Sequence, residues 1–180
     1  MTTSLLLDLT RRYQEPHRHY HTLEHVAAML HEGRRFPLDE EQQMAVWFHD
    51  AVYEPGSEHN EQKSARLCAK WLVRCGWETD AIDRVCRIVL DTKAHAPTSP
   101  QSAPVLDLDL MSLAVPWSAF AANTAAIRAE FAHVPDDAFV AGRRAFFVEM
   151  LRRDRLFFTE WGSTLEATAR QNLERAARGD

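Results

Sequence analysis

Residues 44–52 constrain this chain more than any other stretch. Met44, Trp47, Phe48, Ala51 and Val52 recur at i, i+3, i+4, i+7 and i+8, the spacing of one apolar face of an α-helix. Into that helix the sequence sets His49 and Asp50 side by side. A buried carboxylate is costly unless it is paired or bound to a metal. The doublet therefore has two uses: a hydrogen bond that orders the helix, or ligation of a divalent cation.

Helical spacing continues through the rest of the chain. A first amphipathic segment over 3–14 ends before Pro16. Thr22 is placed to cap a helix to His31, closed by Gly33, and Asp39 caps the His49-Asp50 helix, which runs to the Glu54-Pro55-Gly56 turn. A helix from Asn60 to Gly76 and one carrying Ile82, Val85, Cys86 and Val89 follow. A Pro- and Ser-containing loop over 96–104 leads to 105–113, and segments 117–132, 136–153 and 163–177 complete the series. Strand patterning is weak throughout. The expected fold is all-α, a single helical-bundle domain over 1–180.

Composition narrows the function classes. The net charge of −5 argues against a nucleic-acid binder, and the arginine pairs, Arg143-Arg144 among them, read as solvated helix faces. No apolar run reaches 18 residues, so no membrane span is expected. The N-terminal segment lacks the basic start and length of a signal peptide. Cys68, Cys75 and Cys86 fall on apolar helical positions, as small core residues do. Together these features lead to the expectation of a cytoplasmic protein. They leave its oligomeric state open.

Histidine is over-used: nine in all, five of them between 17 and 31. His21 and His25 are four apart, so on a helix they share a face. One ring can then bind a metal while the other reaches a group beside it. Further on, Leu106-Asp107-Leu108-Asp109-Leu110 carries two carboxylates into an apolar helix. They point roughly 200° apart, so only one can face an ion. Asp107 follows Pro104 closely and suits a first turn. Asp109 shares its face with Val105, Leu106 and Leu113 and has the greater need of a partner. A histidine, a His-Asp pair and a later aspartate make a mixed N,O donor set suited to manganese, iron, cobalt, nickel, zinc or magnesium.

The pattern resembles the HD-domain superfamily of metal-dependent phosphohydrolases, in particular a branch of small bacterial proteins of mostly unassigned substrate. The resemblance rests on Arg18-His19-Tyr20-His21-Thr22-Leu23-Glu24-His25, Trp47-Phe48-His49-Asp50-Ala51-Val52-Tyr53, Val105-Leu106-Asp107-Leu108-Asp109-Leu110 and Ala169-Arg170-Gln171-Asn172-Leu173. It implies an all-α HD-type bundle with His25, His49, Asp50 and Asp109 as metal ligands. The motif around His21 is similar to that of cyclic-nucleotide phosphodiesterases of the same superfamily, which makes His21 the candidate general acid. Asp50 or Asp109 would orient the attacking water. Arg18, Lys93 and His95 are the candidate phosphate contacts, with Lys93 and His95 also counted among the catalytic groups. Glu54 and Glu61 are candidates to assist the water or a second metal. The implied activity is hydrolysis of a small, nucleotide-like phosphate ester.

Three other readings remain on the sequence. His21-Thr22-Leu23-Glu24-His25 matches the inverted zinc-peptidase signature, with Glu24 as base, but leaves the His49-Asp50 pair and the later aspartates unexplained. An HD-type diiron oxygenase would need two further histidines between the doublet and the last aspartate, where only His59 and His95 occur. A metal-binding HD module that senses a ligand or partner would keep the same ligands without turnover.

Overall fold

The computed structural model describes residues 1–179, and among them every regular element is helical. In chain order these are α1 (Thr3–Tyr13), α2 (Leu23–Glu32), α3 (Glu40–Phe48), α4 (Asn60–Arg74), α5 (Thr79–Asp91), α6 (Ala103–Leu110), α7 (Trp117–Glu130), α8 (Asp136–Leu151), the short α9 (Glu160–Ser163) and α10 (Glu166–Arg178). Two 3-10 turns, Gly33–Arg35 and Met111–Ala114, extend α2 and α6. The all-α expectation holds. No helix among the described residues is long and apolar enough to cross a membrane by itself.

Several helix starts follow from the capping residues. The Thr2 hydroxyl accepts from the Leu5 N–H, and Asp39 with Gln42 closes a reciprocal capping box on α3. Gly76, at φ +77°, ends α4 in the left-handed conformation that glycine adopts without strain. Pro104 lies in the first turn of α6, where a missing N–H costs nothing.

The apolar faces bury into two clusters. The first joins α1 to α5 through Leu9, Met29, Phe48, Leu72 and Ile88. The second gathers α7, α8 and α10 around Phe120, Phe147, Met150 and Leu173. Helix α6 belongs to both, giving Val105 and Leu108 to the first and Leu110 to the second. It lies where the two halves meet, and that junction is where the polar residues converge.

Three expected boundaries change. The helix bearing the doublet stops at Phe48, not at Glu54, with His49 as its closing residue. The 105–113 segment is an eight-residue helix followed by a 3-10 turn, and 163–177 divides into α9 and α10.

Candidate metal centre

Three helices converge on one point: α2 supplies His25, the end of α3 supplies His49, and α6 supplies Asp109. Their ligand atoms all lie within 4.8 Å of one another. His25 Nε2 is 3.3 Å from His49 Nε2 and 3.1 Å from Asp109 Oδ1, which is 3.6 Å from His49 Nε2. Asp50 Oδ2 stands 3.1 Å from His49 Nε2. Donors that share one ion at about 2.0–2.2 Å stand roughly 3–3.6 Å apart, so the spacing of His25, His49 and Asp109 fits a single cation. Asp50, expected as a fourth ligand, lies close to His49 and outside that group of three. The His49 ring is also oriented for that task. Its Nδ1–H donates to the Val46 carbonyl at 2.9 Å, which leaves Nε2 to face the cluster.

The electrostatics agree with the geometry. Burial opposes a charge on His49, yet Asp50 and Asp109 raise its pKa to about 9. Burial would likewise raise the two carboxyls. Instead His49 and His21 hold Asp50 below the ordinary range, and His49, His25 and His95 do the same for Asp109. Two ionised carboxylates sheltered from water make a field that a cation answers.

The early end of α3 is what turns Asp50 toward this cluster. Partners far along the chain take the backbone groups that would otherwise continue the helix. Ser64 Oγ accepts the Val52 N–H, and Asn60 bonds both the N–H and the carbonyl of Glu54. Arg18 does the rest. Expected as a phosphate contact, it is buried, lies 5.1 Å and 5.3 Å from the ring centres of Tyr13 and Tyr53, and donates to Glu15 and to the carbonyls of His21, Asp50 and Ala51. Its donors are spent on the end of α3, so it holds the doublet's backbone and has little left for a ligand.

His21 precedes α2 and does not lie on it. Its ring centre is nevertheless 6.3 Å from that of His25, and its partner explains why. Glu130, at the end of α7, is 4% exposed; its Oε1 accepts the N–H groups of His19, Tyr20 and His21. Its Oε2 accepts the Tyr53 hydroxyl and lies 2.7 Å from His21 Nδ1. Burial pushes the Glu130 carboxyl up, but His21 and these backbone donors bring it down to about 2. An ionised carboxylate only accepts, so His21 Nδ1 carries the hydrogen and Nε2 is left for other chemistry. Sequence reasoning missed Glu130. Nothing local marks a glutamate that sits 109 residues from its histidine.

Asp50, Asp109, His21 and His95 open on one cleft of about 410 Å³. His95 Nε2 is 3.1 Å from Asp109 Oδ2; the residue sits in a left-handed turn at φ +45° after α5, with its carbonyl accepting from Arg153. Lys93 lines the same cleft, its ammonium donating to the Glu58 carbonyl. Leu113, Ile127, Phe131 and Phe146 make the apolar wall. Arg143 lines it too, although Arg143-Arg144 reads in sequence as a solvated pair. A second cleft of about 600 Å³ touches only His25 of the cluster. The carboxylates face the smaller one, which makes it the better candidate for chemistry. Tyr20 and Ser112, joined by a 2.6 Å hydrogen bond, wall both.

The remaining candidates lie outside the group of His25, His49 and Asp109. Glu54 is exposed and paired with Lys63, whereas Glu61 lines the smaller cleft with Oε2 buried and unpartnered. His59 is exposed before α4 and makes no side-chain hydrogen bond to the cluster. Glu24 is exposed and lines the larger cleft. Asp107 points away from the cluster. It accepts the Phe158 and Thr159 N–H groups and the Thr159 hydroxyl, so backbone donors, and not a first-turn dipole, satisfy it. Comparison with known protein families, with curated proteins and with solved structures finds no match to this chain.

Proposed function

We propose that this chain is a metal-dependent phosphohydrolase of the HD type, acting on a small phosphate ester. The observation that carries the reading is the convergence of His25, His49 and Asp109 at ligand spacing, with Asp50 beside His49, next to a cleft that also holds His21. When bound, a divalent cation supplies Lewis acidity that acidifies water and polarises a phosphoryl oxygen.

The other roles belong to the chain's own residues. Asp50 or Asp109 orients the attacking water, and that one carboxylate accepts its proton. His21, with Nδ1–H held by Glu130, presents Nε2 toward the cleft, and the charged ring protonates the leaving oxygen there. The buried Glu130 carboxylate stabilises that charge and fixes the ring's orientation, as second-sphere carboxylates do. Lys93 and His95 offer donors to the phosphoryl oxygens. The apolar wall takes the rest of the ester and keeps bulk water from it.

The diiron reading has less support, because His95 stands beside Asp109 while His59 is exposed and apart. A sensor would share every ligand and differ only in lacking turnover. The test is a panel of phosphate mono- and diesters with manganese, cobalt, nickel or magnesium. Turnover that disappears in His49→Ala supports the hydrolase. A metal-loaded protein inert on the whole panel counts against it.

A further inference from the structure

Several sheltered arginines in this protein spend most of their donors on protein acceptors. Arg18 donates to a carboxylate and three carbonyls. Arg128 donates to Asp136 and to two carbonyls, and Arg170 to Glu166 and two carbonyls. Arg143, on α8, differs. Its Nε is buried with no hydrogen-bond partner, and no ion pair reaches its guanidinium among the described residues. The group lies 5.0 Å from the ring centre of Phe146 and 4.7 Å from that of Phe147. Aromatic faces hold a guanidinium in place without using its five N–H donors. Burial lowers its pKa, while the nearby Tyr20 and Tyr53 hydroxyls oppose that shift. Both tyrosines also line the cleft that holds Asp50 and Asp109.

A buried N–H without an acceptor is expensive unless something else supplies one. Of the three buried side-chain atoms without partners, Arg143 Nε and Glu61 Oε2 both line this cleft. One asks for an acceptor, the other for a donor.

We propose that Arg143 is a substrate-binding residue that receives an anionic oxygen group of the ligand through its guanidinium fork, while Glu61 in the same cleft takes an O–H or N–H of the same molecule. The inference rests on the phosphohydrolase reading and sharpens its substrate class to a phosphate ester that carries a hydroxyl or amino group. The planar fork suits two oxygens of one phosphoryl or carboxyl group, a match that lysine cannot reproduce.

The test uses the metal-loaded full chain and inorganic phosphate as probe, with binding followed by calorimetry. Arg143→Met keeps an apolar stem against the two phenylalanines, Arg143→Lys keeps the charge, and the exposed Arg144→Met is the control. The expected result is phosphate affinity reduced at least tenfold in Arg143→Met, partly restored in Arg143→Lys, and unchanged in Arg144→Met, with equal metal content in all. On any ester that is turned over, KM should rise by 10- to 100-fold with a smaller change in kcat. Phosphate bound by Arg143→Met as tightly as by the parent overturns the inference, as does a parent that binds no phosphate at millimolar concentration. The two readings fail differently. Ester turnover with an unchanged KM in Arg143→Met removes Arg143 and leaves the hydrolase, whereas Arg143-dependent phosphate binding without turnover removes the hydrolase and leaves the anion site.

Discussion

Asp107 and Asp109 stand two residues apart on α6, both sheltered from water, and differ in what surrounds them. Asp107 meets two backbone N–H groups and a hydroxyl, neutral donors that complete its needs and anchor the segment around Thr159. Asp109 meets three imidazoles and lies near a second carboxylate. Backbone donors are fixed and always present, whereas imidazoles exchange protons and can turn a lone pair to a metal instead. The first arrangement is complete as it stands. The second is the arrangement into which the proposed cation would fit.

The comparison breaks most sharply if the two carboxylates are neutralised in turn. Asp109→Asn should lose metal and lower turnover on the order of 10³-fold, equivalent to about 4 kcal/mol of barrier. Asp107→Asn should retain metal. Metal analysis showing the reverse would exchange the two assignments.

Next in size is His21→Asn. A general acid contributes roughly 10²–10⁴-fold to turnover and little to metal affinity. Retained metal with unchanged kcat would take His21 out of the mechanism, and lost metal would make it a ligand.

On the anchoring face, Asp107→Ala leaves the Phe158 and Thr159 N–H groups unpaired. It should cost about 2–6 kcal/mol in a denaturant titration, at roughly 1–3 kcal/mol for each orphaned group. Gly162→Ala tests the same contact by sterics, because a methyl there would run into Asp107 Oδ2 and the Phe157 Cβ. Both variants should unfold at lower denaturant and keep metal when folded. A melting point unchanged in both would mean that the anchor is slack.

Acid titration separates the two kinds of carboxylate environment again. Glu130 titrates near 2 in the folded chain and near its ordinary value, above 4, when unfolded. A depressed folded pKa gives stability that is fully present above the unfolded value and is lost as pH falls from there through the folded one. Stability should therefore decline between about pH 4.5 and pH 2, by about 3 kcal/mol from this group. Glu130→Gln should be less stable at neutral pH and flatter across that window. An unaltered acid limb would show that Glu130 contributes nothing to it. The smallest effect belongs to Glu24→Gln. Glu24 is exposed on the far side of His25, so turnover should stay within a few-fold; complete loss would revive the peptidase reading.

What could be read in advance follows the range of the interactions. Helices α1 to α8 were visible because periodicity, caps, Gly76 and Pro104 act within a few residues. The choice of Asp109 over Asp107 was also local, resting on the direction each points from one helix. The break after Phe48 was not, since the apolar spacing runs on through Val52 and the groups that stop the helix come from Arg18, Asn60 and Ser64. Arg18 and Arg143 were each misjudged for the same reason. An arginine's role depends on which acceptors reach it, and for these two the answer lies across the fold: Arg18 finds carbonyls of α3's end, Arg143 finds only aromatic faces. Glu130, reached from His21 across 109 residues, left no local trace at all.

The hydrogen bond between Tyr20 and Ser112 has a consequence for evolvability. One aromatic ring and one hydroxyl separate a cleft of about 410 Å³ from one of about 600 Å³. Neither residue belongs to the donor set around His49, but the Tyr20 ring lies 4.9 Å from that of His21 and 5.3 Å from that of His25, so redrawing the boundary also moves a support of both histidines. Replacing Tyr20 by a small residue would merge the two hollows into one trough reaching from Arg143 to Trp161, and bulkier molecules would then fit. A scaffold of this kind changes the length of molecule it can admit by altering a single partition.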